Sequence, residues 1–258
     1  MSSSPRATGT ALDVSAELFR RAKRVVVLTG AGISTPSGIP DFRSEGTGLW
    51  SHDEPMQVAS LSTFRTHPEI FFSWFRPLAD QIFNAQPNPA HRALAELEST
   101  GAAQTIITQN IDMLHQKAGS KYVIETHGTM RTLSCTSCYQ RFDSSDFIKL
   151  FIEDGAIPVC LDCNGILKPD VILFGEQLPQ SAWFEAQNAA RSCDLMVVAG
   201  SSLEVLPVAG LPMQAVDRGA HLIVINNSPT YINVRADVVL MDDIATILPE
   251  IAKRAING

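Results

Sequence analysis

Four of the five cysteines fall in two Cys-x-x-Cys pairs, Cys135 with Cys138 and Cys160 with Cys163. Paired thiolates on two knuckles suit a tetrahedral zinc ion, and sulfur at all four corners leaves no open position for a reactive water. The expected role of the metal is therefore structural. The gap between the pairs is one residue longer than the usual range, which a loop absorbs. A redox dithiol needs only one pair. A grip on nucleic acid is disfavoured, because residues 128–168 hold four Lys/Arg against five Asp/Glu. Cys193, alone before an apolar run, reads as a small buried hydrophobe.

A second constellation begins at Gly30, Ala31 and Gly32, directly after the β-branched run Val25-Val26-Val27-Leu28. A strand feeding a glycine turn exposes backbone N–H groups that suit phosphate oxygens. The dinucleotide fingerprint asks for a third glycine where this chain has Thr35, so a phosphate loop and a plain tight turn both remain open on the glycines alone. Pro36, Gly38 and Pro40 argue against a helix. Asp41, Phe42 and Arg43 are therefore expected on an extended loop beside the turn. Gln109-Asn110-Ile111-Asp112 follows another apolar run, Thr105–Thr108, where open α/β sheets bind ligands, although Asn110 and Asp112 could equally cap the next helix. His127-Gly128 ends a third run, Tyr122–Glu125, and an imidazole there could serve as a general base near neutrality or as a core residue. His52, His67, His91, His115 and His221 lack such a context and are assigned to surface or packing.

The elements that must position these residues alternate. Helices are expected over residues 12–22, 68–83, 112–118, 181–191 and 208–218, with one capped by Asn84 or Asn88 that runs to Gly101 and one from Asp243. Strands are expected at residues 25–28, 105–108, 122–125, 171–174, 195–199, 222–225 and 238–240. This pattern implies an α/β fold with a doubly wound, parallel, Rossmann-like sheet. Residues 128–168, rich in Thr, Ser and Cys, read as an inserted module, and residues 44–83, rich in Phe, Trp and Pro, as a helical one whose aromatics form core. The expected division is a Rossmann-like domain of residues 1–43, 84–127 and 169–258, with a small domain built from modules 44–83 and 128–168.

The run from Gly30 to Arg43 resembles the signature loop of the sirtuins, NAD-dependent protein-lysine deacylases, and later motifs match in the same order over roughly residues 15–250. The resemblance implies an NAD site formed by Gly30, Ala31, Gly32, Ser34, Thr35, Asp41, Phe42 and Arg43 at the signature loop. Gln109 and Asn110 would hold the ribose, and Asn110, Ile111 and Asp112 the nicotinamide. Gly200, Ser201 and Ser202 would meet phosphate and the adenosine ribose. Asn226, Asn227, Ser228, Asp243 and Ile244 would lie on the adenosine side. It makes His127 the base, with Asn110 as a second catalytic residue, and Phe42 a shield against water. Residues 168–176 would pair as a strand with an acetylated peptide, with Ile172, Phe174, Gly175, Glu176 and Val205 lining the acyl-lysine site. Bottom-up, a core strand suits Val171 and Leu173 better than Ile172 and Phe174.

In sirtuins the acyl-lysine carbonyl oxygen attacks the nicotinamide ribose and expels nicotinamide. The base then activates a ribose hydroxyl, and water completes transfer, yielding lysine and O-acyl-ADP-ribose. This chain departs from the sirtuins that prefer succinyl or malonyl lysine: their Tyr-x-x-Arg pair falls, without gaps from Pro87–His91, on Phe75 and Leu78, with Arg76 out of register. The implied substrate is acetyl-lysine or another uncharged acyl-lysine in proteins or peptides.

At 258 residues and 45% hydrophobic content the chain can bury a substantial core. No apolar run is long enough for a membrane span, and the first ten residues read as a loose tail without a signal-peptide core. A cytoplasmic monomer is expected. A net charge of −7 disfavours binding DNA or RNA. The rival readings are an NAD-dependent oxidoreductase, a non-catalytic zinc-ribbon partner protein, and a protein ADP-ribosyltransferase using the same NAD residues.

Overall fold

The computed structural model describes residues 5–41 and 54–258. The chain runs through α1 (Pro5–Arg21), β1 (Val25–Thr29), α2 (Pro55–Val58), α3 (Leu61–Thr66), α4 (Pro68–Asn84), α5 (Pro89–Ser99), β2 (Thr105–Thr108), α6 (Leu114–Ala118) and β3 (Val123–Glu125). It continues with β4 (Gly128–Cys135), β5 (Arg141–Asp143), α7 (Ser145–Asp154), β6 (Leu167–Val171), α8 (Gln180–Ser192), β7 (Leu195–Ala199), α9 (Leu211–Val216), β8 (His221–Ile225), β9 (Val238–Leu240) and α10 (Ile244–Asn257).

Six strands form one parallel sheet in the order β3-β2-β1-β7-β8-β9. Its central strands β1 and β7 are buried along their whole length, as expected of apolar runs covered on both faces. One face packs against α1, α5 and α10 through residues such as Phe19, Leu94 and Ile251, and the other against α8 and α9 through Ala186, Ala190 and Leu211. Strand order reverses between β1 and β7, so a crevice opens at their C-terminal ends.

Beside this sheet, β5, β4 and β6 form a three-stranded antiparallel sheet. A third apolar cluster joins α3 and α4 to it: Phe151 of α7 lies 5.5 Å from Phe72 and 6.4 Å from Phe75, ring centre to ring centre. A fourth surrounds the cysteines.

Three expectations are corrected. The predicted strand at residues 171–174 is displaced: β6 spans Leu167–Val171 and pairs antiparallel with β4, because Lys168 and Pro169 register against Ser134 and Leu133 and draw the segment out of the parallel sheet. The stretch read as a loose tail is helical from Pro5, since α1 extends the amphipathic segment whose Leu12, Ala16 and Phe19 are buried. Residues 31–37 form two short 3-10 turns, Ala31–Ile33 and Thr35–Ser37, because Pro36 sits at an early position where no N–H is needed. Gly38, at φ 86°, then ends the second turn. Asn88, not Asn84, caps α5, its Oδ1 accepting from the Ala90 amide at 2.9 Å. The expectations for Phe42 and Arg43 lie outside the described residues.

Candidate active site and cysteine cluster

Two loops close the crevice. Gly32 N–H donates to the Gly200 carbonyl at 2.8 Å, so the turns after β1 and β7 touch backbone to backbone. A Cβ added at Gly32 would stand 2.8 Å from that same oxygen, so no side chain fits there. The α5 cap binds the first turn from beneath, with Asn88 Nδ2 donating to Ile33 O at 2.8 Å and to Ser37 Oγ at 2.9 Å. Strand β2 delivers Gln109 and Asn110. Asn110 Nδ2 donates to Gly30 O at 3.1 Å and to Ser34 Oγ at 3.0 Å. Ser34 Oγ in turn donates to Asp112 Oδ2 at 2.6 Å, and Asp112 Oδ1 accepts from the Leu114 amide at 2.9 Å. Burial raises the Asp112 pKa, and these donors oppose the rise. Asn110 and Asp112 therefore do both things left open by the sequence: Asp112 caps the start of α6, and both face the crevice.

His127 follows β3. Its Nδ1 lies 3.0 Å from the Gln109 carbonyl oxygen, an acceptor only, so Nδ1 carries the hydrogen and Nε2 keeps its lone pair. Burial lowers the pKa of the ring, against the raising effect of that carbonyl, and holds the imidazole neutral near pH 7. Gly128, at φ 79°, is required next to it, because a Cβ would collide with the Asp170 carbonyl oxygen.

These residues border two cavities. One, of about 840 Å³, is lined by Gly30, Ala31, Gly32, Thr35 and Asp41 on one side and Gly200, Ser201 and Ser202 on the other. Asn226, Asn227, Ser228 and Ile244 close its far end. Asp243 is not part of this wall: its carboxylate caps α10, accepting from the Ala245 amide and the Thr246 hydroxyl. The second cavity, of about 360 Å³, is largely apolar. It takes in Ser34, Ile111 and Asp112 at one end, and Ile172, Phe174, Gly175 and Glu176 along one side. Phe71, Trp74, Phe75, Leu78 and Ile82 of α4 form the opposite wall. Gln109, Asn110, His127 and Val205 belong to both cavities, so the imidazole stands where polar and apolar spaces meet.

The sequence reading treated the α4 aromatics as core and so missed a cavity wall. Their helical spacing is the same in either case, and Phe71 and Phe75 are at once members of a buried cluster and part of the cavity lining. Val171 and Leu173, read as core, are 4% and 5% exposed and yet also touch the cavity. The amides of Ile172, Leu173 and Phe174 are already satisfied by His127 O, Glu176 Oε2 and Ala59 O, so a peptide can pair with this segment only through other backbone groups.

The four paired cysteines converge. Their sulfurs all lie within 4.8 Å of one another, with Cys135 and Cys163 3.5 Å apart and Cys138 and Cys160 3.6 Å apart. Four sulfurs about 2.3 Å from one zinc ion would have just such separations. The amides of Cys138 and Ser137 point at Cys135 Sγ, each at 3.4 Å, and the Cys138 amide leads in holding that thiol well below its ordinary range. The cluster fits zinc as a closed, structural site. Cys193 is buried as expected, its thiol donating to Ala190 O. Among the described residues, no helix is long and apolar enough to cross a membrane.

A sequence model of the Sir2 family matches residues 30–207. The chain is 46% identical over 240 residues to NAD-dependent protein deacylase 2 of Archaeoglobus fulgidus, covering 93% of this chain and 94% of that one. It is also 46% identical to an NAD-dependent protein deacetylase of Saccharolobus solfataricus, covering 88% and 90%. Its structure superimposes on that of Sir2Af2 bound to a myristoylated histone peptide with a TM-score of 0.83 and 40% identity, over 96% of this chain and 98% of the other. A match that runs from the glycine turn through the cysteine cluster and past the Gly200 loop, with likeness of sequence and fold over nearly the whole length, leaves one assignment: the chain belongs to the Sir2 family.

Proposed function

We propose that this chain is an NAD-dependent protein-lysine deacetylase, which moves the acetyl group of an acetyl-lysine side chain onto ADP-ribose and releases nicotinamide. The observation that carries the reading is the meeting of the two cavities at Gln109, Asn110 and His127. The polar cavity, lined by the glycine turns at Gly30–Gly32 and Gly200–Ser202, whose small residues let a ligand approach the backbone closely, suits the dinucleotide, and Ile244 and Asn226–Ser228 suit its adenosine end. Asn110, Ile111 and Asp112 suit the nicotinamide, held in one arrangement by the Ser34 hydroxyl. The apolar cavity suits an acyl-lysine that enters past Val205, Ile172 and Phe174.

NAD is the co-substrate and supplies the ribose carbon at which nicotinamide is exchanged for the acyl oxygen. The protein contributes alignment and a dry cavity for that exchange. His127, neutral and with Nε2 free, then takes a proton from a ribose hydroxyl, while Gln109 O holds the ring in the required tautomer. Zinc held by Cys135, Cys138, Cys160 and Cys163 would supply only a cross-link. Its module would act with the α2–α4 helices as one small domain, a reading supported by the Phe151 contacts to Phe72 and Phe75. A cytoplasmic site of action fits four thiols disposed for metal and not for disulfides.

The acyl group is uncharged on this reading. Phe75 and Leu78 present only hydrocarbon to the cavity, and the Arg76 guanidinium turns away to the carbonyls of Ile152 and Glu153. The cavity also favours a second reading, removal of longer uncharged acyl chains. Its α4 wall, Phe71, Phe75, Leu78 and Ile82, is hydrocarbon, which suits an aliphatic chain beyond the lysine amide. The Archaeoglobus relative bears the name deacylase, and Sir2Af2 was seen with a myristoylated peptide.

The test is mass spectrometry of an acetyl-lysine peptide and a myristoyl-lysine peptide incubated with NAD and either the intact chain or His127→Ala. Loss of the acyl group only with NAD and only with His127 present is expected. ADP-ribose attached to peptide or protein, with the acyl group retained, would establish ADP-ribosyl transfer in its place.

A further inference from the structure

Beneath the site lies a chain of buried side chains that the reaction does not touch. Thr29 and Thr108 end β1 and β2 and face each other in register. Thr29 Oγ1 donates to Thr108 Oγ1 at 2.9 Å. His115 of α6 is 1% exposed and sets its Nε2 2.9 Å from the same Thr29 oxygen. Its Nδ1 is buried without a partner among the described residues. Thr108 Oγ1 also accepts the Asn110 amide at 3.1 Å, and Asn110 is the residue that ties Gly30 and Ser34 together.

Counting hydrogens fixes the direction of this chain. A hydroxyl has one hydrogen to give. Thr29 gives its hydrogen to Thr108, so it meets His115 only as an acceptor, and the proton of His115 must sit on Nε2. A second proton on Nδ1 would leave a charged N–H buried with no acceptor, beside the His91 ring at 4.9 Å. His115 is thus the first donor in the sequence His115, Thr29, Thr108. Each donor fixes the rotor of the next hydroxyl, and the last oxygen is locked where the Asn110 amide needs it.

We propose that His115 is a positioning residue of the NAD site, which acts as an Nε2–H donor through Thr29 and Thr108 to hold Asn110 at the nicotinamide pocket. This rests on the reading of that pocket given above. A packing histidine would need only its shape, whereas this role needs the proton on one nitrogen and the Thr29 hydroxyl in between.

The test uses the full-length protein with Thr29→Val, which keeps the branched shape and removes the hydroxyl, and Thr29→Ser, which restores it. The expected result for T29V is a KM for NAD and a nicotinamide inhibition constant each raised about fivefold, the scale of one lost buried hydrogen bond. The KM for the acetyl-lysine peptide should stay within about twofold, and T29S should match the parent in all three. In parallel, ¹⁵N-histidine NMR should show His115 protonated at Nε2 and bare at Nδ1. Unchanged NAD and nicotinamide constants in T29V, equal defects in T29V and T29S, or a proton on Nδ1 of His115 would each overturn the proposal. Should the parent remove no acyl group at all, the function proposed above fails, and the NMR result alone then decides whether the donor chain exists.

Discussion

His127 Nδ1 and the backbone oxygen of Gln109 lie 3.0 Å apart, and this contact links the ends of two neighbouring strands, β3 and β2, across the mouth of the crevice. It settles which imidazole nitrogen is available to a substrate. It also means that the peptide unit placing Gln109 beside the polar cavity orients the imidazole proposed as the base.

His127→Ala should therefore abolish acyl transfer while leaving binding of NAD, followed by calorimetry, within a few-fold. The pH profile carries a sign. The active form is the neutral imidazole, and burial lowers its pKa, so kcat should stay on its plateau below the ordinary histidine value of about 6.5 and fall only at lower pH. An acidic limb centred above pH 6.5 would contradict the role.

Acid should weaken the fold through the buried pair His91 and His115. Burial lowers the His91 pKa to about 4, and it lowers that of His115 well below the ordinary value, with His91 adding to the effect. The unfolded chain binds protons that the folded chain refuses, so stability is unaffected above about pH 6.5 and declines as pH falls toward 4. His91 alone should cost about 3 kcal/mol at pH 4. Urea unfolding at pH 7, 5.5 and 4.5 measures the decline, and His91→Phe should make it shallower, leaving the part that belongs to His115.

Metal analysis should find one zinc per chain, bound by four sulfurs. Cys135→Ser should lose it and lower Tm by several degrees, because the knuckle that joins β4 to β5 would then lack its cross-link. Zinc retained at full occupancy in this variant would show that the four cysteines do not act together.

Succinyl-lysine peptide should react far more slowly than acetyl-lysine peptide, since among the described residues the apolar wall has no cation to meet a carboxylate. The double substitution Phe75→Tyr with Leu78→Arg should reverse this order by at least about tenfold in kcat/KM, one good charged contact being sufficient. The ratio of the two kcat/KM values is the readout.

Gly32→Ala should push the two phosphate-side turns apart, because its new methyl would meet Gly200 O at 2.8 Å. Overpacking at such a point costs about 1–3 kcal/mol. The variant should show both a lower Tm and a raised KM for NAD.

The sequence by itself determined the local chemistry of this protein. Fully apolar, β-branched runs such as Leu195–Ala199 read as buried strands, two Cys-x-x-Cys pairs favour a tetrahedral metal site, and a glycine turn after a strand allows close backbone approach. The signature run added a family, which the fold bears out. Only the tertiary structure decided where each run pairs and what faces it. Residues 167–171 have the alternation of a strand, but their antiparallel partner is β4, a choice made by register with Ser134 and Leu133 and not by pattern. Phe71 and Phe75 have the spacing of core residues and are buried, yet part of their surface bounds a cavity. His115 looked like a packing residue for the same reason. Its hydrogen-bond partner, Thr29, lies 86 residues away in the chain, and only the parallel pairing of β1 with β2 brings that hydroxyl between it and Thr108.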